Sequence, residues 1–154
     1  MSKHIQVESH MSLTGSNADN RILIKPSEMG AAIANLYNEL AALNGRPSVS
    51  APKLGDKAMA GLQKAAEALN QRKGNSLVVS GSNNTGEQIL VNAINDMLGN
   101  YGATIDFQHA SNQRKGSDPA MQALIREMGA GSVDAVFMMN GANPAFDLPN
   151  AEAF

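Results

Sequence analysis

The chain of 154 residues contains no cysteine. This excludes disulfides, a cysteine nucleophile, thiolate zinc sites and cysteine-ligated iron–sulfur clusters within it. It leaves the compartment undecided, because a chain without cysteine folds in either redox environment. No apolar run approaches the ~20 residues of a membrane-spanning helix. The start, Met1-Ser-Lys-His-Ile-Gln-Val7, has no apolar stretch of the kind a secretory leader carries. Charge of one sign is also scarce. The net value is -2, with Arg72-Lys73 and Arg114-Lys115 as isolated pairs, so there is no clustered basic face for nucleic acid. What remains is a composition with 43% hydrophobic and 17% charged residues, enough for one globular domain with a real core.

Apolar spacing gives the organisation. His4-Ile-Gln-Val-Glu8 alternates like a short strand, and Arg21-Ile-Leu-Ile24 reads as a second extended piece. Between them, residues 12–19 are turn-rich and read as loop. A helix is expected from Ser27, with Ile33, Leu36, Tyr37, Leu40 and Leu43 on one face and Gly45 and Pro47 ending it. A second helix is capped by Asp56. Its inward face, including Ala58, Leu62, Ala65, Ala66 and Leu69, is rich in alanine, which suits close packing against a sheet.

From Asn75 onward the pattern alternates. Strands are expected at residues 77–80, 104–107 and 133–139. Between them lie a helix with Ile89, Leu90, Ala93, Ile94, Met97 and Leu98 inward, and another with Met121, Leu124, Ile125 and Met128 inward, capped by Asp118 with Pro119 in its first turn. The expectation is an α/β fold: a three-layer sandwich with a mostly parallel, Rossmann- or flavodoxin-like sheet. The third strand, long and apolar, suits the sheet interior, buried on both faces. Residues 1–26 are expected as an extended segment packing on the domain. Residues 27–154 are expected as a single α/β domain cut at its C-terminal end.

Ligands in open α/β sheets bind outside the carboxyl ends of strands. Three places qualify. Ser80, Gly81, Ser82 and Asn83 lie in a strand-to-helix loop, where backbone N–H groups and the helix dipole can hold an anion. The loop is neither a dinucleotide fingerprint nor a P-loop. Glu87 in the first turn opposes a phosphate, and Asn84 or Thr85 capping a plain turn accounts for the same residues. His109 follows the second expected strand, beside Asp106. Gly141, Asn143 and Pro144 follow the third, where Asn140 or Asn143 either meets a ligand or ties down the turn itself. No nucleophile elbow and no His-x-x-x-His spacing is present. The methionines at helix and strand positions read as core filling.

The stretch Val7-Glu-Ser-His-Met-Ser-Leu-Thr-Gly-Ser-Asn-Ala-Asp-Asn-Arg21, followed by Ile24-Lys-Pro-Ser-Glu28, resembles the large molybdopterin oxidoreductase family. The likeness is greatest to the branch around polysulfide reductase and the large iron–sulfur subunit of alternative complex III. Asn92-Ala-Ile-Asn-Asp-Met-Leu-Gly-Asn-Tyr-Gly102 and Gly141-Ala-Asn-Pro-Ala-Phe-Asp-Leu-Pro149 resemble two further signatures of that family, in the expected order. The resemblance implies an interior domain of a larger respiratory subunit at the periplasmic face of a membrane complex. Its partners would be the other domains and subunits of that complex, with no nucleic acid and no membrane insertion of its own. In this reading the domain is non-catalytic, holds no cofactor itself, and serves quinol-linked electron transfer, with iron–sulfur clusters only in other domains. In the alternative, an active molybdoenzyme, Ser80, Gly81, Ser82, Asn83, His109, Gly141, Asn143 and Pro144 would line a molybdopterin dinucleotide. A free-standing flavodoxin-like nucleotide-binding module is the third reading.

Overall fold

The computed structural model describes residues 2–111, 116–139, 141 and 143–147. The chain divides into two compact units, residues 1–109 and 110–154.

The first unit is mixed α/β. It opens with β1 (Ile5–Glu8), a single-turn helix α1 (Leu13–Ser16) and β2 (Asn20–Leu23). A 3-10 turn, Pro26–Glu28, leads into α2 (Met29–Leu43), followed by α3 (Asp56–Asn70) and α4 (Thr85–Met97). The alternating strand and the second extended piece expected from the sequence are both present, and they pair in parallel, Ile5 opposite Asn20 and Glu8 opposite Leu23. A parallel pair needs a crossover rather than a tight hairpin. Residues 9–19 provide it, and α1 shapes it, where the sequence reads as loop. Ser12 starts α1 as N-cap, its side chain accepting from the Gly15 N–H at 2.9 Å.

Three helices supply most of the core. Ile22 and Ile24 from β2 pack with Ala32 of α2, Leu62 and Ala65 of α3, and Leu54 from the preceding loop. Leu40, Ala66, Ile94 and Leu98 form a second cluster where α2, α3 and α4 meet. The alanine-rich face of α3 packs as its composition predicts, against both α2 and β2. On α4 the inward face is rotated from expectation: Val91 is buried and Ile89 is 60% exposed. Asn35, also buried, donates to the Ala31 and Pro52 carbonyls, each at 2.8 Å, and so pins the Pro/Ser-rich loop onto α2.

The later expected strands differ from the sequence reading. Among the described residues the only sheet has two strands. Residues 77–80 form no ladder, because the Val78 N–H and carbonyl bond instead to the side chain of Asn95, at 3.0 and 2.7 Å. Residues 104–107 curl into a turn. The Asn100 carbonyl accepts the N–H groups of Ala103, Thr104 and Ile105, which removes the donors a ladder would use. Tyr101 and Ile105 retain one isolated parallel bridge.

The second unit contains α5 (Asp118–Gly129) and α6 (Pro144–Asp147). Ser117, one residue before the expected Asp118, caps α5 by accepting from the Ala120 N–H. Its apolar stripe is half-buried, with no fully buried residue. Residues 133–139, expected as a strand covered on both faces, carry no ladder among the described residues. Phe137 is 90% exposed and Met139 74%. A parallel strand is buried by elements packed on both faces of its sheet, and among the described residues none covers Phe137 or Met139 in this way.

Candidate functional site

The first unit contains a cavity of about 870 Å3. β1 lines it, as do residues 77–82 and apolar side chains of α2, α3 and α4. Its lining includes the half-buried Ile5, Val7, Met29 and Leu36 and the exposed Leu77 and Val79.

The backbone of β1 is used on one side only. The His4 and Glu8 carbonyls accept from the Asn20 and Ile24 N–H groups of the β2 segment. In a parallel pair one strand presents alternate residues to its neighbour. The register therefore turns the N–H and carbonyl groups of Ile5 and Val7 away from β2. Residues 77–80 show the same economy. Val78 bonds to Asn95, and the Ser80 carbonyl accepts from the Gln88 amide at 3.1 Å. Leu77 and Val79 have no backbone hydrogen bond to any described residue.

Asn95 is the keystone of this wall. It is 2% exposed, and its amide bonds to Val78, to the Val91 carbonyl at 3.0 Å and to the side chain of Asn100 at 2.9 Å. Asn100 is fully buried and accepts from the Ser76 hydroxyl at 3.2 Å. The network holds residues 76–78 against α4 with every buried polar side chain among the described residues partnered.

Close to the end of β1 lies a buried carboxylate. Glu8 is 6% exposed, accepts from the Ser12 hydroxyl at 2.5 Å, and pairs with the Arg21 guanidinium. The Ser12 hydroxyl foremost, and then Arg21, hold its carboxyl below the usual glutamate range. Gly15 packs directly against this carboxylate, so that a Cβ there would collide with it. The sequence reading assigned Glu8 no role. Its signal was an acidic residue at a strand position thirteen residues before an arginine on the next strand.

The sequence-predicted site residues are distributed as follows. Ser80, Gly81 and Ser82 line the cavity, together with Glu87. Their loop is closed on itself. The Ser80 hydroxyl accepts from the Ser82 N–H at 3.2 Å, the Ser82 hydroxyl from the Asn84 N–H at 3.1 Å, and Asn84 caps α4 by accepting from the Glu87 N–H at 3.2 Å. Gln88 bonds to the Ser80 and Ser82 carbonyls. Asn83 is exposed and lies outside the cavity lining. His109, also outside it, is 82% exposed and joined to Asp106 at 2.6 Å in a local turn. The His109 ring first, and the Gln108 N–H second, lower the Asp106 carboxyl.

In the second unit Gly141 takes the left-handed conformation, φ 75°. The Asn143 carbonyl accepts the Phe146 and Asp147 N–H groups at 2.9 Å, and the Asn143 N–H donates to the Asp147 carboxylate at 3.0 Å. Pro144 begins α6 and is buried. Asn140, the other amide expected at this turn, and residues 148–149 of the resembling motif lie outside the described residues.

At residues 80–87 the Ser82, Asn84 and Glu87 N–H groups are bonded within the loop, and Glu87 also lines the cavity. Among the described residues no three His, Asp or Glu side chains converge as a metal site. In comparisons with known proteins, no family model matches the chain, and neither the curated proteins nor the solved structures include a significant match.

Proposed function

We propose that this chain is a structural, non-catalytic α/β domain of a respiratory, molybdopterin-oxidoreductase-like subunit at the periplasmic face of a membrane complex. In this reading its sheet is completed into a larger, mostly parallel one within a three-layer sandwich. Its work is to pack against neighbouring domains that carry the iron–sulfur clusters of quinol-linked electron transfer. The family part of this reading rests on the sequence resemblance alone. The observation that supports a packing role is the contrast between the polar loops and the cavity. The side chains of Ser80, Ser82, Asn84 and Gln88 bond within their loop, whereas the cavity combines a mostly apolar lining with backbone edges at Ile5, Val7, Leu77 and Val79 that have no partner among the described residues. Surface of that kind is completed by other protein rather than by a small polar ligand.

Metal and pterin analysis of the purified full-length parent tests the assignment. The expected result is neither molybdenum nor pterin at stoichiometric level. Both at one per subunit would overturn it and favour the pterin-dinucleotide reading.

A further inference from the structure

We propose that another concavity of the first unit, between the two-stranded sheet and α3, binds a small oxyanion of multiple negative charge. Its volume is about 420 Å3, within the range of small-molecule pockets. The site works through side chains and so stands apart from the packing role above, which rests on backbone edges and polar loops. Charge and shape both point to an anion.

Lys3, Arg21, Lys57 and Lys64 line the concavity, and no acidic side chain among the described residues does. This is a strong local excess in a chain of net charge -2. The four basic residues stand singly in the sequence, and the fold collects them. The Arg21 guanidinium is taken by Glu8. The ammonium groups of Lys3, Lys57 and Lys64 have neither an ion pair nor a hydrogen bond among the described residues. Lys64 lies three positions before Glu67, at helical pairing distance, yet is not joined to it. Asp56, which precedes Lys57, lies outside the lining. Like charges gathered on one concavity repel, and an anion among them relieves the repulsion.

The fold also shapes the site. Lys57, Ala60, Gly61 and Lys64 follow one another at helical spacing on one face of α3. Gly61 lets β2 come close, since a Cβ there would stand 2.9 Å from the Ile22 side chain. β2 therefore meets α3 at Gly61, with one lysine on the turn before and one on the turn after, about 10 Å apart along the helix axis. Alternation puts Asn20 on the same side of β2 as Ile22, and its side-chain amide has no hydrogen bond among the described residues. It offers a neutral donor beside the lysines. Gly55 supplies no side-chain cap to α3, so the first-turn N–H groups add partial positive charge at the Lys57 end. An ammonium is a compact point charge without the planar fork of arginine. The site therefore selects by charge, and phosphoryl and carboxyl oxygens share the chemistry it recognises.

The test is an NMR titration of the full chain at constant ionic strength, read at the backbone amides. Pyrophosphate probes phosphoryl anions and citrate probes carboxyl anions. With at least one of them the amides of Asn20, Lys57, Gly61 and Lys64 are expected to shift and saturate by millimolar concentration. The tighter of the two identifies the preferred chemistry. No saturable shift with either would overturn the proposal. Acetate, with a single charge, should bind at least about tenfold more weakly, and an equal response to acetate would refute selection by multiple charge. Lys57 and Lys64 are exposed, so Lys57→Gln and Lys64→Gln should leave the far-ultraviolet circular dichroism unchanged. Each should lower affinity for the bound anion about tenfold, because one charge-assisted contact is lost. Lys53→Gln removes an exposed lysine outside the lining and should leave affinity unaltered. Undiminished affinity in both site variants, or an equal fall in Lys53→Gln, would overturn the site.

Discussion

Replacing Asn95 with leucine tests how the wall of the cavity is held. The two side chains are close in size, so the change removes polarity with little change in volume. Four hydrogen bonds disappear: two to the Val78 backbone, one to the Val91 carbonyl and one to Asn100. At a net ~1 kcal/mol each they sum to about 4 kcal/mol. Two adjustments act in opposite directions. Asn100 is fully buried, so the amide left without its partner adds about 1–3 kcal/mol. Val78 is half-buried, and water regains part of what its backbone loses. The expected loss is about 3–5 kcal/mol, or roughly 6–20 °C in the melting temperature of a domain of this size. Urea unfolding followed by circular dichroism measures it, and exchange at the Val78 amide localises it. A loss below about 1 kcal/mol, or a Val78 amide as protected as before, would refute the idea that Asn95 stands in for a neighbouring strand. Asn95→Asp sharpens the test. Its carboxylate accepts where the amide donated to the Val78 and Val91 carbonyls, so at neutral pH it should destabilise at least as much as leucine.

Three further outcomes are expected. In Gly15→Ala the new Cβ meets the Glu8 carboxylate and displaces it from Ser12 and Arg21, at about 2 kcal/mol of stability; a change within 0.5 kcal/mol in thermal unfolding would contradict the packing. Because the folded-state pKa of Glu8 lies below its ordinary 4.5, the stability from its ionised form is present above that value and is lost as pH falls below it through the folded pKa. Glu8→Gln should therefore flatten the acid limb of stability measured against pH, and an unaltered limb would assign acid sensitivity elsewhere. Phe137→Ser should change stability by no more than about 0.5 kcal/mol, because the ring is 90% exposed, while reducing self-association in analytical ultracentrifugation; a large stability loss would show that the ring is covered in solution.

The helices were legible because amphipathic periodicity and caps are local. α2, α3 and α4 fall where the apolar stripes put them, and Asn84 caps α4 as one of the two residues expected to. β1 and β2 were legible from alternation and short apolar runs. The later strands were not, for a physical reason: a strand is completed by its neighbour, and sequence does not show whether that neighbour is present. Leu77 and Val79 have strand-like side chains and no ladder. The candidate loop at Ser80, Gly81 and Ser82 was found, yet its closure through Ser82, Asn84 and Gln88 depends on side-chain geometry. The cavity itself was missed because it brings β1 together with residues some seventy positions later, and no local pattern records that proximity.

The short crossover between β1 and β2 has a consequence for the order of folding. Paired residues such as Ile5 and Asn20 are only fifteen positions apart, so closing that loop demands little chain entropy. Most parallel pairs wait for a long crossover to form, and contacts distant in sequence slow folding. Here the pairing can form from the first 24 residues of the chain, with the Glu8 and Arg21 ion pair as its latch, before α4 has been made. Pulse-labelled exchange should find the Ile22 amide protected ahead of the Val78 amide; the reverse order would show that the helices form first and the strands follow.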